Sequence, residues 1–230
     1  RLDARLDAHG DGARALASAI RHAADGGKRF RPLLVVSAFD TLGGPDIARS
    51  ALFDVSAAFE LLHTAFVIHD DVIDHDLERR GVPNVGGEFR DRGHARGADA
   101  AGAALLGDAA AILAGDLLLH EAGRLVALAE IPGPLRAELL GLVEEAVLVS
   151  AAGELADVEN AVVAGELDAE TVLRTTHDKT AVYSFSAPLE AGAVLAGAEA
   201  PHRCALQRFG QRLGLAYQLV DDLIGAFGTA

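Results

Sequence analysis

Residues 60–80, Glu60 to Arg80, read ELLHTAFVIHDDVIDHDLERR, and this stretch decides what kind of fold the chain can have. Upstream apolar residues recur at Leu52, Val55, Phe59, Leu62 and Phe66, the three-and-four spacing of one buried helical face. At about 100° per residue, His63, Phe66, Asp70 and Asp74 continue along one narrow stripe. The packed face of a helix therefore runs straight into carboxylates: Asp70, Asp71, Asp74 and then Asp76. Acids in a core-facing register are costly unless a cation compensates them. A divalent metal suits that task, and Arg79 and Arg80 directly behind suggest that an anion joins it. Taken alone, the motif also fits a solvated helix end.

Working outward, the rest of the chain carries the same helical signal. Its 230 residues are half apolar, alanine-rich and only 5% aromatic, with little strand-like alternation, which predicts an all-α protein built as a single domain. A formal charge of −14 argues against binding nucleic acid and against general adhesion to anionic lipid. An anionic substrate would have to be held by metal or by a local basic cluster. Cys204 is the only cysteine, so no intramolecular disulfide can form, and a reducing, cytoplasmic setting is expected. Asp54, Glu60, Asp108 and Asp116 interrupt the apolar runs before they reach the roughly 18 residues that span a bilayer, so no membrane insertion is expected. The chain holds no methionine and stops shortly after a second acidic motif, so it is expected to represent part of a longer protein.

Several landmarks carry chemistry. Gly26-Gly27-Lys28-Arg29-Phe30-Arg31-Pro32 places three cations within four residues at a helix start, and Pro32 suits the first turn. Free amides and the positive dipole end there could cradle a diphosphate beside Lys28 and Arg31, although a solvated basic turn has the same composition. Asp46 is a candidate cap for the long helix that ends in acid. Gly115-Asp116 lies inside a very apolar segment, where a glycine permits close helix contact. Glu154 and Asp157 stand one turn apart and can face solvent or a site. Asp168 with Thr171 starts a short helix. The last helix opens at Pro201 and ends Gln218-Leu-Val-Asp221-Asp222. An apolar helix running into paired aspartates thus occurs twice. In the first copy, Asp70 and Asp74 lie one turn apart, roughly 6 Å along the axis. All the candidate ligands are hard oxygens, which favours magnesium, or manganese, over zinc.

Taken together, these motifs resemble the trans-isoprenyl diphosphate synthases, or polyprenyl synthetases. The chain matches Gly-Gly-Lys-Arg-x-Arg-Pro at 26–32, Leu-Leu-His at 61–63, Asp-Asp-x-x-Asp at 70–74, Arg-Arg-Gly at 79–81, Lys-Thr at 179–180 and Gln-x-x-Asp-Asp at 218–222. The resemblance implies a bundle of long antiparallel helices around a central cavity, usually dimeric, that joins isopentenyl diphosphate to an allylic diphosphate. Asp70, Asp71 and Asp74 would bind magnesium bridged to the allylic diphosphate, with Asp221 and Asp222 supplying further metal ligands. Arg79 and Lys179 would contact the allylic diphosphate. Lys28, Arg31, His63 and Arg80 would hold isopentenyl diphosphate, and Thr180 and Gln218 would line the path of developing positive charge.

Two departures stand out. Gly225 replaces the third carboxylate of the second motif, and Asn84 stands where threonine is commoner. The family sets product length by bulk beneath the first motif, so Phe66 and Ala65, four and five residues before Asp70, predict a short-to-medium product: geranylgeranyl diphosphate first, farnesyl second. Competing readings are a non-catalytic subunit of a heteromeric prenyl synthase, suggested by Gly225, a class I terpene cyclase, and a helical scaffold with solvated acids.

Overall fold

The computed structural model describes residues 2–163, 165 and 167–228, and there every long apolar stretch is helical. In chain order the helices are α1 (Leu2–Leu6), α2 (Asp11–Ala24), α3 (Phe30–Thr41), α4 (Arg49–Ile73), α5 (Val85–Ala95), α6 (Ala100–Ala127), α7 (Gly133–Val162), α8 (Ala169–Thr176), α9 (Ala187–Leu195) and α10 (Ala200–Phe227). A π-helical stretch, His177–Ser186, joins α8 to α9. Among the described residues the only sheet is a ribbon of two-residue strands, β1 (Glu78–Arg79) and β2 (Val82–Pro83). The protein is all-α.

Local chemistry accounts for most boundaries. Asn84 caps α5 by accepting from the Gly87 amide at 2.9 Å, and Asp168 caps α8 by accepting from Thr171 at 2.7 Å. Pro32 sits in the first turn of α3, as its missing donor allows. Asp46 does not cap α4. It lies in a 3₁₀ turn, Asp46–Ala48, and its carboxylate takes the Arg49 Nε–H at 3.0 Å instead. The glycine- and charge-rich residues 86–99 form the eleven-residue α5, which starts at Val85, and a short loop before α6.

The chain forms two compact units: residues up to Lys28 with Glu60–Arg124, and Arg29–Phe59 with Leu125 onward. The core of the first unit joins Ala19 and Ile20 of α2, Ala65 and Ile68 of α4, Val85 and Phe89 of α5, and Ala110, Ala111, Ala114 and Leu118 of α6. Its small residues let helix axes approach closely. The His69 ring occupies the space a side chain at Gly115 would need, as the predicted close contact requires; Asp116 is largely exposed.

In the second unit, the π-helical stretch packs against α7, α9 and α10. The contact with α10 is so close that a Cβ on Gly210 would lie 2.5 Å from Ser186 Cα, and one on Gly214 would lie 2.6 Å from Ala181 Cα.

By length and composition, Asp46–Ile73 and Ala100–Ala127 do reach what a bilayer crossing needs, despite the interrupting acids; 56% and 39% of their apolar windows are buried inside the protein.

Glu190 of α9 offers a test of packing in this unit. Its side chain is 15% exposed and faces Arg203 at 3.7 Å, while Arg203 also pairs with Glu138. Burial pushes the Glu190 carboxyl up, Arg203 pulls it down, and Glu138 adds to the rise. The folded chain therefore holds this proton more tightly than the unfolded chain. The resulting stability is full below the ordinary glutamate value of 4.5 and is lost as pH rises through the raised value. The Glu190→Gln variant is expected to gain melting temperature relative to wild type as pH increases from 4.5 toward neutral. Parallel pH profiles would count against it.

Candidate active site

The end of α4 presents three aspartates in three different environments. Asp71 is buried, Asp70 is partly covered with 26% of its side chain exposed, and Asp74 is exposed. A tight hairpin follows. Arg80 and Gly81 both take positive φ, +57° and +75°, between the paired residues Arg79 and Val82. This turn folds Arg79 back onto the helix end, where its Nε and Nη2 donate to Asp71 Oδ1 at 2.9 and 2.5 Å. The Asp70 carboxylate lies 3.7 Å from the same guanidinium. Asn84 braces the hairpin by donating to the Asp76 carbonyl at 2.8 Å. Burial pushes the Asp71 carboxyl up, against the pull of Arg79 and Asn84.

Arg80, at the hairpin corner, extends over the Gly26-Gly27 backbone. A Cβ on Gly26 would lie 3.5 Å from Arg80 Nη1, and one on Gly27 would lie 3.7 Å from Nη2. Both glycines have φ of +76°, a conformation that side chains disfavour. The loop leading to exposed Lys28 and the hairpin carrying Arg79 and Arg80 are therefore neighbours in the first unit. His63 is half-buried on α4, three residues before half-buried Phe66. Ala65 is fully buried in the first unit's core.

The second unit holds the remaining residues. Arg31 is only 6% exposed. Its Nε and Nη2 donate to Ser184 Oγ at 3.2 and 2.8 Å, and its guanidinium lies 4.3 Å from the Phe30 ring centroid and 5.2 Å from that of Tyr183. The rings of Phe30, Phe185 and Tyr217 cluster with centroids 5.2 to 5.9 Å apart, joining α3, the π-helical stretch and α10. Thr180 is half-buried beside Lys179, whose ammonium meets Glu154 and Asp157 of α7. On α10, Gln218 Nε2 donates to Asp222 Oδ1 at 2.8 Å, and Asp221 and Asp222 are exposed.

Among the described residues, no three histidine, cysteine or carboxylate side chains converge into a closed metal site. Magnesium does not require one: it commonly takes one or two carboxylates and completes its shell with water and substrate phosphate. Asp70 and Asp74, hard oxygen donors one turn apart at an accessible helix end, fit that demand. Sequence reasoning missed Ser184, which stands 153 positions from Arg31 with no local signal linking them. It left Glu154 and Asp157 undecided between solvent and site, and the structure turns both toward Lys179.

Residues 13–230 match the polyprenyl synthetase family model. The chain belongs to the polyprenyl synthetase family. Among relatives, a geranylgeranyl diphosphate synthase of Sulfolobus acidocaldarius is 32% identical over 204 residues, covering 87% of this chain and 54% of that protein. An octaprenyl diphosphate synthase of Haemophilus influenzae is 34% identical over 201 residues, covering 86% and 52%. The chain thus spans about half the length of these family members. A geranylgeranyl pyrophosphate synthase of Corynebacterium glutamicum, solved with isoprenyl diphosphate and magnesium, superposes with a TM-score of 0.91 at 28% identity, covering 99% of this chain and 64% of that one.

Proposed function

We propose that this polyprenyl synthetase is a trans-prenyltransferase that condenses an allylic diphosphate with isopentenyl diphosphate, giving a trans-polyprenyl diphosphate longer by five carbons. One observation carries the reading most directly. A single unit places the Asp70–Asp74 carboxylates, the Arg79–Arg80 hairpin and the Gly26-Gly27 loop before Lys28 side by side. Acids at one edge suit a divalent cation, and cations at the other suit a diphosphate.

Asp70 and Asp74 would hold magnesium, with Asp71, Asp221 and Asp222 as the further carboxylates of the two motifs. When bound, magnesium neutralises charge on the leaving diphosphate and so eases loss of the allylic group. Arg79 and Lys179 would bind the allylic diphosphate, and Lys28, Arg31, His63 and Arg80 would bind isopentenyl diphosphate. Thr180 and Gln218 offer oxygen dipoles to positive charge developing on the allylic carbons. The isopentenyl double bond then forms the new carbon–carbon bond, and a proton leaves to restore the alkene. The enzyme would act as a cytoplasmic homodimer, a reading supported by the family resemblance and by the lone cysteine. Purified full-length protein should elongate an allylic diphosphate when given isopentenyl diphosphate and magnesium. No product with geranyl or farnesyl diphosphate would refute the proposal; cyclic hydrocarbon would point to a cyclase.

Geranylgeranyl diphosphate is the product we favour, with farnesyl diphosphate second; relatives named for both geranylgeranyl and octaprenyl products leave a wide range. Phe66, half-buried one turn before Asp70, is the proposed stop for the growing tail. The Phe66→Ala variant should lengthen the product by at least one five-carbon unit, read by chromatography after phosphatase treatment. An unchanged product would remove Phe66 from that role. Gly225, in place of a third carboxylate, favours one alternative, a non-catalytic subunit; activity appearing only when a partner is added would support it.

A further inference from the structure

Lysine occurs only twice in the chain, at Lys28 and Lys179, against eighteen arginines. An arginine suits planar, bidentate or stacked sites, whereas an ammonium is a compact charge on a flexible stem that can swing between partners. Lys179 is placed where such a swing has consequences. Its Nζ lies 3.1 Å from both Glu154 carboxylate oxygens and 2.9 Å from Asp157 Oδ2. The Lys179 side chain is 29% exposed, that of Glu154 22% and that of Asp157 50%, so the Glu154 contact is the more shielded of the two.

The backbone enforces this pairing. Lys179 begins its approach from the first turn of the π-helical stretch, which lies directly on Gly153 of α7. A Cβ on Gly153 would sit 2.3 Å from the Lys179 amide nitrogen and 2.6 Å from the Asp178 carbonyl carbon. Glu154 and Asp157 follow on the same helix, one residue and one further turn along, so the lysine stem meets them over a short, fixed distance. Two carboxylates face this one ammonium. An anion drawn to Lys179 is repelled by both of them unless the ammonium parts from at least one.

We infer that Glu154 and Asp157 are positioning residues that hold the Lys179 ammonium on α7 until an anionic ligand takes it. The nature of that ligand, a diphosphate, rests on the function proposed above. The holding pair itself does not.

Two measurements on the full chain keep the two ideas apart. In the first, trace acetylation by acetic anhydride is quantified by mass spectrometry, with Lys28 as internal reference. Lys179 should react about tenfold more slowly than Lys28 in wild type, and the Glu154→Gln/Asp157→Asn double variant should remove most of that difference. An unchanged ratio overturns the inference. The second is elongation kinetics. The same double variant should lower kcat/KM about tenfold in the wild-type background and have no further effect in a Lys179→Gln background. An equal loss in both backgrounds, or none in either, overturns the positioning role. Slow acetylation relieved by the double variant, in a protein that elongates nothing, would support the holding pair and count against the diphosphate reading.

Discussion

Asparagine in place of Asp70 should reduce elongation by about a hundred- to a thousandfold while leaving the fold intact. The change is nearly isosteric, and Asp70 stands at the end of α4 with a quarter of its side chain exposed, so little packing is lost. What disappears is one of the two carboxylate charges that stand one turn apart on the helix end. The guanidinium at 3.7 Å would then face a neutral amide, which weakens cation binding without opening a cavity. Incorporation of labelled isopentenyl diphosphate across a magnesium titration is the measurement, with melting temperature as control. Activity within tenfold of wild type would show that Asp70 is not a principal ligand.

The Arg79→Ala variant is expected to do something Asp70→Asn does not: unfold the protein at a lower temperature. Asp71 has 6% of its side chain exposed and receives two hydrogen bonds from Arg79. Removing the guanidinium strands a buried carboxyl group. Losing one member of a buried pair costs about 3–5 kcal/mol, a range to be discounted here because Arg79 itself is 42% exposed. A loss of about 2 kcal/mol corresponds to a melting temperature lower by about 4–8 °C for a chain of this size. Adding Asp71→Asn to Arg79→Ala should recover part of that loss, since the stranded group is then neutral, but should not recover elongation. If Arg79→Ala melts with wild type, the pair has no structural role.

These two predictions separate aspartates that look alike in the sequence. Asp-Asp-x-x-Asp at a helix end reads as three equivalent oxygen donors, because spacing along a helix reports direction and not burial. The hairpin makes the difference. With Arg80 and Gly81 at positive φ, it returns Arg79 to a carboxylate eight positions earlier and leaves Asp74 exposed. Asn84 shows the same limit: the sequence shows only a departure from threonine there, and not its double task of capping α5 and tying the hairpin to Asp76. The π-helical stretch was also illegible. No local pattern in HDKTAVYSFS distinguishes it from an ordinary helix, and its course follows close packing against Gly153 of α7 and Gly210 and Gly214 of α10.

What the sequence determined by itself is what short-range chemistry controls. Apolar spacing set the helices, the side chain of Asp168 set the start of one of them, and six ordered motifs placed the chain in its family. Tertiary structure alone decided which charged groups meet. Arg31 ends on Ser184, 153 positions away, and Lys179 ends between Glu154 and Asp157 of α7. The reason is physical: a helix start depends on neighbours a few bonds away, whereas a buried cation takes whichever acceptor the folded backbone brings within hydrogen-bonding distance. That choice gave the acid-ended helix at Glu60–Arg80 its unequal carboxylates, with Asp71 buried against arginine, Asp70 partly covered and Asp74 exposed.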